Sequence, residues 1–316
     1  RSTLFPYTTL FRSTNFSIKL LVMSSEAHSR RGRVLADGTK VVRLGSGLKK
    51  EGTISADAAS RAFCALDSFV AEARALGSDE IFAVGTEALR IASNAEAFLD
   101  EIERRCGFRV FVIGGKEEAE LSFLAARAAV PSDGDAVVFD VGGGSSEIVV
   151  GDASGATGRL SLPVGALTLH DEFFESFGEA VPDSALASSC ARVRALFAKH
   201  LTPGFFSRDG CLAIGVGGTI TTLAAVKLSL VPYDPQRITG CTLTTKEIDE
   251  QILRYASTGA RGRLEIEGLA PDRADIILAG ACITRTLMEA SGASVLTVSD
   301  RGLRYGAMER FCGLVP

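Results

Sequence analysis

The sequence predicts an α/β protein built of two domains with a cleft between them. Three observations predict it. Short apolar runs alternate with helix-period segments along the chain, two separate glycine runs each follow an apolar strand, and 316 residues exceed what one ordinary core holds.

The elements follow in order. Thr3 to Ser13 resembles the in-frame translation of a sequencing-library adapter, so it is set aside from fold reasoning as non-native. Ile18 to Met23 is an apolar run suited to a buried strand, and Val41 to Leu44 predicts another, closed by Gly45-Ser46-Gly47. Ser55 is placed to cap a helix with apolar positions Ala59, Ala62, Phe63, Leu66, Phe69, Val70 and Ala73, ended by Gly77. Ile81 to Val84 reads as a strand, Asn94 as the cap of a second helix that Gly107 ends, and Arg109 to Ile113 as a strand with Val110 and Val112 on one face. A domain boundary is expected within 116–135, where Pro131, Ser132 and Gly134 cluster. Ala136 to Phe139 and Glu147 to Val150 are then strands, followed by helices over 166–177 and 184–199. Leu212 to Val216 is a strand entering a helix through Gly217-Gly218-Thr219. Thr245 is expected to cap a helix over 246–257, Asp272 to open one reaching Ala290, Val295 to Val298 to form the last strand, and Arg301 to begin a terminal helix.

Composition narrows the function. A net charge of −4 argues against a general nucleic-acid binder. No run of eighteen apolar residues occurs, and Pro6, Arg12 and Lys19 interrupt any signal-peptide core, so a cytoplasmic protein with no membrane partner is expected. Seven scattered cysteines without a C-x-x-C pair, beside three histidines, argue against zinc and against a disulfide framework. Reduced, mostly buried thiols are expected. Arg30, Arg31, Arg33, Lys40, Arg43, Lys49 and Lys50 form an early basic cluster. By itself that is a solvated face, though a phosphate-rich substrate would need such a surface.

Chemistry concentrates in Asp140-Val141-Gly142-Gly143-Gly144-Ser145-Ser146-Glu147. Three glycines let the backbone close on a ligand, and their N–H groups with the Ser145 and Ser146 hydroxyls can form an anion nest. Asp140 and Glu147 flank it, placed to hold Mg²⁺ directly or through water. A second loop, Gly215-Val216-Gly217-Gly218-Thr219, adds the positive end of a helix but lacks the lysine of a P-loop. Gly114-Gly115-Lys116-Glu117-Glu118 opens a helix with carboxylates, which the helix dipole favours whatever the function; beside phosphate loops, one of them could orient water.

With these motifs the chain resembles the exopolyphosphatase / guanosine pentaphosphate phosphohydrolase (Ppx/GppA) family over residues 14–312. The resemblance adds Gly85-Thr86-Glu87-Ala88-Leu89-Arg90, Arg273-Ala274-Asp275 with Ala279-Gly280, and Ser299-Asp300-Arg301-Gly302-Leu303-Arg304. It implies two ribonuclease H-like domains of the actin, Hsp70 and sugar-kinase superfamily, over 14–125 and 126–300, with the helix of 301–316 returning to the first. It implies that Glu118 is the catalytic base, that Arg90 grips phosphate, and that Asp140 and Glu147 associate with Mg²⁺, with K⁺ as a further ion. Thr14 and Asn15, Gly142, Gly143, Gly144, Ser145 and Ser146, and Gly217, Gly218 and Thr219 match phosphate loops. The implied reaction is exopolyphosphatase hydrolysis of inorganic polyphosphate by a homodimer, with guanosine pentaphosphate hydrolysis as the alternative. An ATP-binding sugar-kinase-like protein and an inactive polyphosphate or nucleotide sensor are the readings from other classes. Two departures stand out. Glu120 replaces a common arginine, and the family's opening Asp-x-Gly-Thr-Asn aligns with Phe11, Arg12, Ser13, Thr14 and Asn15, leaving Phe16 as an extra residue.

Overall fold

The computed structural model describes residues 7–13, 16–25, 32–78, 80–132, 134–178, 180–202, 204–206 and 210–313. The chain divides into two compact units, Arg1–Leu121 with Leu303–Pro316, and Ser122–Gly302. The division falls inside a helix.

The first unit carries strands β1 (Tyr7–Ser13), β2 (Ser17–Ser25), β3 (Gly32–Val41), β4 (Glu80–Gly85) and β5 (Val110–Val112), in the sheet order β3-β2-β1-β4-β5. β1 to β3 are antiparallel neighbours, whereas β4 and β5 run parallel to β1. Its helices are α1 (Leu48–Glu51), α2 (Ala56–Ala75), α3 (Glu87–Ile91), α4 (Ala95–Cys106) and α5 (Gly115–Ala129), the last crossing into the second unit. Ile18, Leu20 and Val22 of β2 pack with Leu66, Phe69 and Val70 of α2 and Phe98 and Ile102 of α4. Leu21 and Met23 alternate onto the opposite face and are also fully buried, as the period of a strand covered on both sides requires.

The second unit repeats that plan. Strands β6 (Ala136–Val141), β7 (Ser146–Asp152), β8 (Gly155–Leu162), β9 (Leu212–Val216), β10 (Thr242–Thr244) and β11 (Val295–Val298) lie in the order β10-β11-β9-β6-β7-β8. β6, β7 and β8 are antiparallel neighbours, β9 and β11 run parallel to β6, and β10 is an added antiparallel edge. Helices α6 (Ala166–Phe173), α7 (Asp183–His200), α8 (Gly217–Lys227), α9 (Pro235–Ile238), α10 (Thr245–Arg263) and α11 (Ile277–Ser291) complete it. The final helix, α12 (Leu303–Cys312), packs on β1 and β2. Each sheet therefore has the ribonuclease H-like strand order, with β6, β7, β8, β9 and β11 matching β1 to β5 in position and direction.

Several expectations need correction. Within the segment set aside from fold reasoning, Tyr7–Ser13 is β1, the central strand of the first sheet, which leaves its origin untested. A strand at that place satisfies the facing backbone groups of β2 and β4, and the run Tyr-Thr-Thr-Leu-Phe is rich in strand formers. The strand expected at Val41 to Leu44 lies earlier, in β3, whose polar and glycine-containing sequence hid it. β8 was missed for the same reason, and β10 because it has only three residues. Ser55 caps α2 as expected, its Oγ accepting from the Ala58 N–H at 3.2 Å. Asn94 does not cap α4: its amide donates to the Ile54 carbonyl and accepts from the Ile54 N–H, both at 2.9 Å. The cap of α10 is Thr244, one residue early, in a reciprocal box with Glu247. Asp272 lies in a 3₁₀ turn and α11 starts only at Ile277. Among the cysteines, only Cys106 and Cys282 are buried; Cys64 is exposed and the other four are half-buried.

The basic cluster is partly committed to its own unit. Lys40 lies over the Phe69 ring at 4.9 Å and bonds Ser68, and Arg43 lies over the Phe16 ring at 5.5 Å. Arg30 and Arg31 fall outside the described residues.

Candidate active site

In the first unit, Gly114 and Gly115 turn the chain out of β5 into α5, and Glu118 sits in the first turn of that helix. Its carboxylate is buried, with 7% of the side chain exposed. Arg90, at the end of α3, meets it: Nη1 donates to Glu118 Oε2 at 3.1 Å and to the Ile113 carbonyl at 2.8 Å. The structure thus brings the two expected catalytic residues of this unit together. Arg90 contacts the Glu118 carboxylate directly, a contact the sequence did not signal.

In the second unit, Asp140 near the end of β6 and Glu147 in β7 are direct cross-strand partners. Such partners project from the same face of the sheet. Both are buried, at 4% and 5% exposure. Ser122 of α5 donates to Asp140 Oδ2 at 3.4 Å, and Ser161 of β8 donates to Glu147 Oε1 at 3.1 Å. Asp140 Oδ1 also lies against the first residue of α8. A Cβ at Gly217 would come within 2.3 Å of that oxygen, and Gly217 has φ +88°. Only glycine brings the carboxylate so near the positive end of the helix.

The loop between β6 and β7 is held from below. Its Gly142 N–H donates to the Ser145 carbonyl at 3.0 Å. The N–H groups of Ala166, Leu167 and Thr168, the first turn of α6, donate to the Gly142 and Gly143 carbonyls at 2.8 to 3.2 Å. Gly165 makes that approach possible, since a Cβ there would stand 2.4 Å from the Gly143 carbonyl carbon. The Gly143, Gly144 and Ser145 N–H groups make no backbone bond of this kind among the described residues and form the candidate nest. Ser146 departs from expectation. It is fully buried and its hydroxyl donates to the Val164 carbonyl at 2.7 Å, because strand alternation turns it away from the Glu147 face.

Gly217, Gly218 and Thr219 form the first turn of α8, whose N–H groups have no partner within the helix. The Thr219 side chain fills the space left by Gly280 of α11, so its N–H is what it offers. The guanidinium of Arg273 covers Gly218, where a Cβ would come within 2.3 Å of Nη2. Burial holds the Arg273 pKa below its usual value. Its motif was visible in the sequence without a role; Ser122, Ser161 and Gly165 were not signalled at all. Thr14 and Asn15 lie outside the described residues.

The duplicated topology gives a second alignment for the missing aspartate, by register within the chain. Asp140 pairs with Glu147 on one side and Val216 on the other. In the first sheet, Arg12 pairs with Lys19 and Val84, and Val84 is followed by Gly85 as Val216 is by Gly217. Arg12, not Phe11, therefore occupies the place of Asp140.

Comparison with known proteins bears on the family of the chain. A sequence model of the Ppx/GppA phosphatase family matches residues 21–311. The guanosine-5'-triphosphate,3'-diphosphate pyrophosphatase of Aeromonas salmonicida is 27% identical over 286 residues, 89% of this chain and 55% of that protein. The chain thus spans about half the length of the first curated relatives it matches. Exopolyphosphatase 2 of Mycobacterium tuberculosis is 30% identical over 302 residues, 92% of this chain and 93% of that one. The crystal structure of the Aquifex aeolicus Ppx/GppA family member superposes with a TM-score of 0.78 at 27% identity, covering 96% of this chain and 97% of that one. An exopolyphosphatase structure from Cytophaga hutchinsonii shares the fold, with a TM-score of 0.87 at 24% identity over 98% of this chain and 99% of that one. With its family model spanning nearly the whole length and its two sheets in the same order, this chain belongs to the Ppx/GppA phosphatase family.

Proposed function

We propose that this chain is an exopolyphosphatase, hydrolysing the terminal phosphoanhydride of inorganic polyphosphate to release orthophosphate. The observation that carries the hydrolase reading is the opposition of Asp140 and Glu147 beside a glycine loop and a helix N-terminus. Polyphosphate is favoured as substrate because a relative matched over 92% of this chain and 93% of its own length is named an exopolyphosphatase.

The donor set fits Mg²⁺. Opposed carboxylates on one sheet face repel, and a divalent cation relieves that repulsion. Among the described residues no group of three or more His, Cys, Asp or Glu gathers at one point. Two carboxylates with the remaining positions left to water and phosphate oxygens is the coordination Mg²⁺ accepts. When bound, the ion would neutralise charge on the phosphate oxygens. The chain's own groups do the rest. Glu118 takes a proton from the attacking water as its oxygen bonds to the terminal phosphorus and the anhydride P–O bond breaks. Arg90 holds Glu118 and donates to phosphate. The N–H groups of Gly143, Gly144, Ser145 and the first turn of α8 stabilise the developing negative charge.

Guanosine pentaphosphate is the second reading, supported by the description of the Aeromonas relatives. An inactive sensor is the third, supported by Arg12 at the aspartate's place. Seven unbridged cysteines support a reducing, cytoplasmic setting, and a homodimer, measurable by sedimentation, completes the proposal. Phosphate release from polyphosphate, guanosine pentaphosphate and ATP, each with Mg²⁺ and with or without K⁺, tests it. Turnover highest on polyphosphate supports the proposal. Preference for pentaphosphate selects the second reading, and binding without release in both this chain and its Arg12→Asp variant selects the third.

A further inference from the structure

Asp140, Glu147 and Ser161 form one row across three neighbouring strands. Asp140 of β6 is the register partner of Glu147 in β7, and Glu147 is the register partner of Ser161 in β8. Directly opposed residues of antiparallel strands project from the same face, so the three side chains lie side by side. At the outer end of the row the Ser161 hydroxyl donates to Glu147 Oε1 at 3.1 Å. Asp140 and Glu147 are buried, whereas Ser161 is exposed on β8, the edge strand.

The two carboxylates are held differently. Asp140 has the shorter side chain and lies between the Ser122 hydroxyl, at 3.4 Å, and the glycine that opens α8. Glu147 carries one more methylene, and so one more torsion to immobilise before its oxygens keep a fixed place. Its bond from Ser161 is the shorter of the two, and it joins strands whose pairing already sets their separation. A hydroxyl is also the donor that suits a ligand of a cation. It orients the carboxylate without bringing a positive charge to compete with the ion, unlike the guanidinium that Arg90 offers Glu118.

We propose that Ser161 is a positioning residue of the metal site, resting on the reading of Asp140 and Glu147 as ligands of Mg²⁺. It fixes the Glu147 carboxylate from the neighbouring strand and so sets how tightly the pair takes the ion. Without the hydroxyl, the Glu147 side chain must be ordered at the moment the ion binds. That cost falls on Mg²⁺ affinity more than on the step that breaks the anhydride bond once the ion is in place.

Calorimetric titration of the full chain with Mg²⁺, in the presence of orthophosphate, tests this beside phosphate release from polyphosphate at rising Mg²⁺. Ser161→Ala should weaken Mg²⁺ binding by roughly 10–100-fold, and Ser161→Thr, which keeps a hydroxyl, should restore it. The apparent KM for Mg²⁺ should rise in Ser161→Ala by more than kcat falls. Thr157→Val removes another hydroxyl of β8, one that donates to the Val150 carbonyl at 3.3 Å, and should bind Mg²⁺ as the unmodified chain does. Both positions are exposed, so neither substitution opens the core. Should Ser161→Ala fail to fold, Ser161→Cys, similar in shape but a far weaker donor, takes its place. Undiminished affinity in Ser161→Ala beside lost binding in Glu147→Gln overturns the role of Ser161 and leaves the ligand pair standing. Equal weakening in Thr157→Val, or no recovery in Ser161→Thr, overturns it as well. Undiminished affinity in Glu147→Gln overturns the ligand reading itself, and the role of Ser161 with it.

Discussion

Asp140 and Glu147 face each other across β6 and β7, two buried carboxylates on one side of a sheet. In the first sheet the same register sets Arg12 against Lys19.

The carboxylate pair predicts a metal-dependent stability. Thermal unfolding should shift upward with Mg²⁺, by as much as about 2.7 kcal/mol at a hundredfold excess over Kd. Asp140→Asn and Glu147→Gln should each remove that response, and without Mg²⁺ they should unfold no earlier than the parent because the repulsion is gone. An undiminished Mg²⁺ shift in both variants would exclude these residues as its ligands.

Glu118→Gln should lower turnover by roughly 10²–10⁴ while leaving substrate affinity in place. Arg90→Ala should lower turnover too, since it releases Glu118 from its 3.1 Å ion pair. Phosphate release in a single turnover, with binding by calorimetry, separates the two effects. Full activity in Glu118→Gln rules out its role as base.

Gly217→Ala combines a backbone conformation at φ +88° with a Cβ placed 2.3 Å from Asp140 Oδ1. A loss of about 1–3 kcal/mol in urea unfolding is expected, together with a weaker Mg²⁺ response. Gly292→Ala is the control, with a similar φ of +70° but nothing within 4 Å of the added methyl group. Equal Mg²⁺ responses in the two variants would show that the contact with Asp140 does not matter.

Arg12→Asp should raise phosphate release above that of the chain as it stands, whereas Phe11→Asp should not. Register, rather than the nearest Thr-Asn in the sequence, makes this distinction. The reverse order of activities would restore the simpler alignment.

Arg304 of α12 is 5% exposed, and its Nη2 donates to Asp37 Oδ2 at 2.8 Å, as does the Tyr305 hydroxyl at the same distance. Arg304→Ala leaves the partly exposed Asp37 carboxylate without its cationic partner and should cost about 1.5–3 kcal/mol, as for a hydrogen bond to a charged group. The denaturation midpoint measures it, and a change below about 1 kcal/mol would place the pair among weak surface bridges.

The division between sequence and structure follows from how far each interaction reaches along the chain. Glycine runs, a carboxylate at a strand end and helical spacing are local patterns, and they were enough for the α/β class, the family, and Glu118, Asp140 and Glu147 as candidates. β3 and β8 escaped because their polar, glycine-bearing sequences become strands only when a neighbour supplies hydrogen bonds, and β10 because three residues show no period. Asn94 looked like a cap, but its amide bonds Ile54 forty positions away. Ser146 lay in the loop motif, yet a distant carbonyl and the strand's alternation took its hydroxyl. Arg90 and Glu118 stand 28 positions apart, and no spacing rule joins them. By itself, then, the sequence determined which local groups could meet a phosphate and a metal. Tertiary structure alone decided which of them face the same side, and that Arg12 holds the register position of Asp140, because strand pairing joins residues that no local pattern connects.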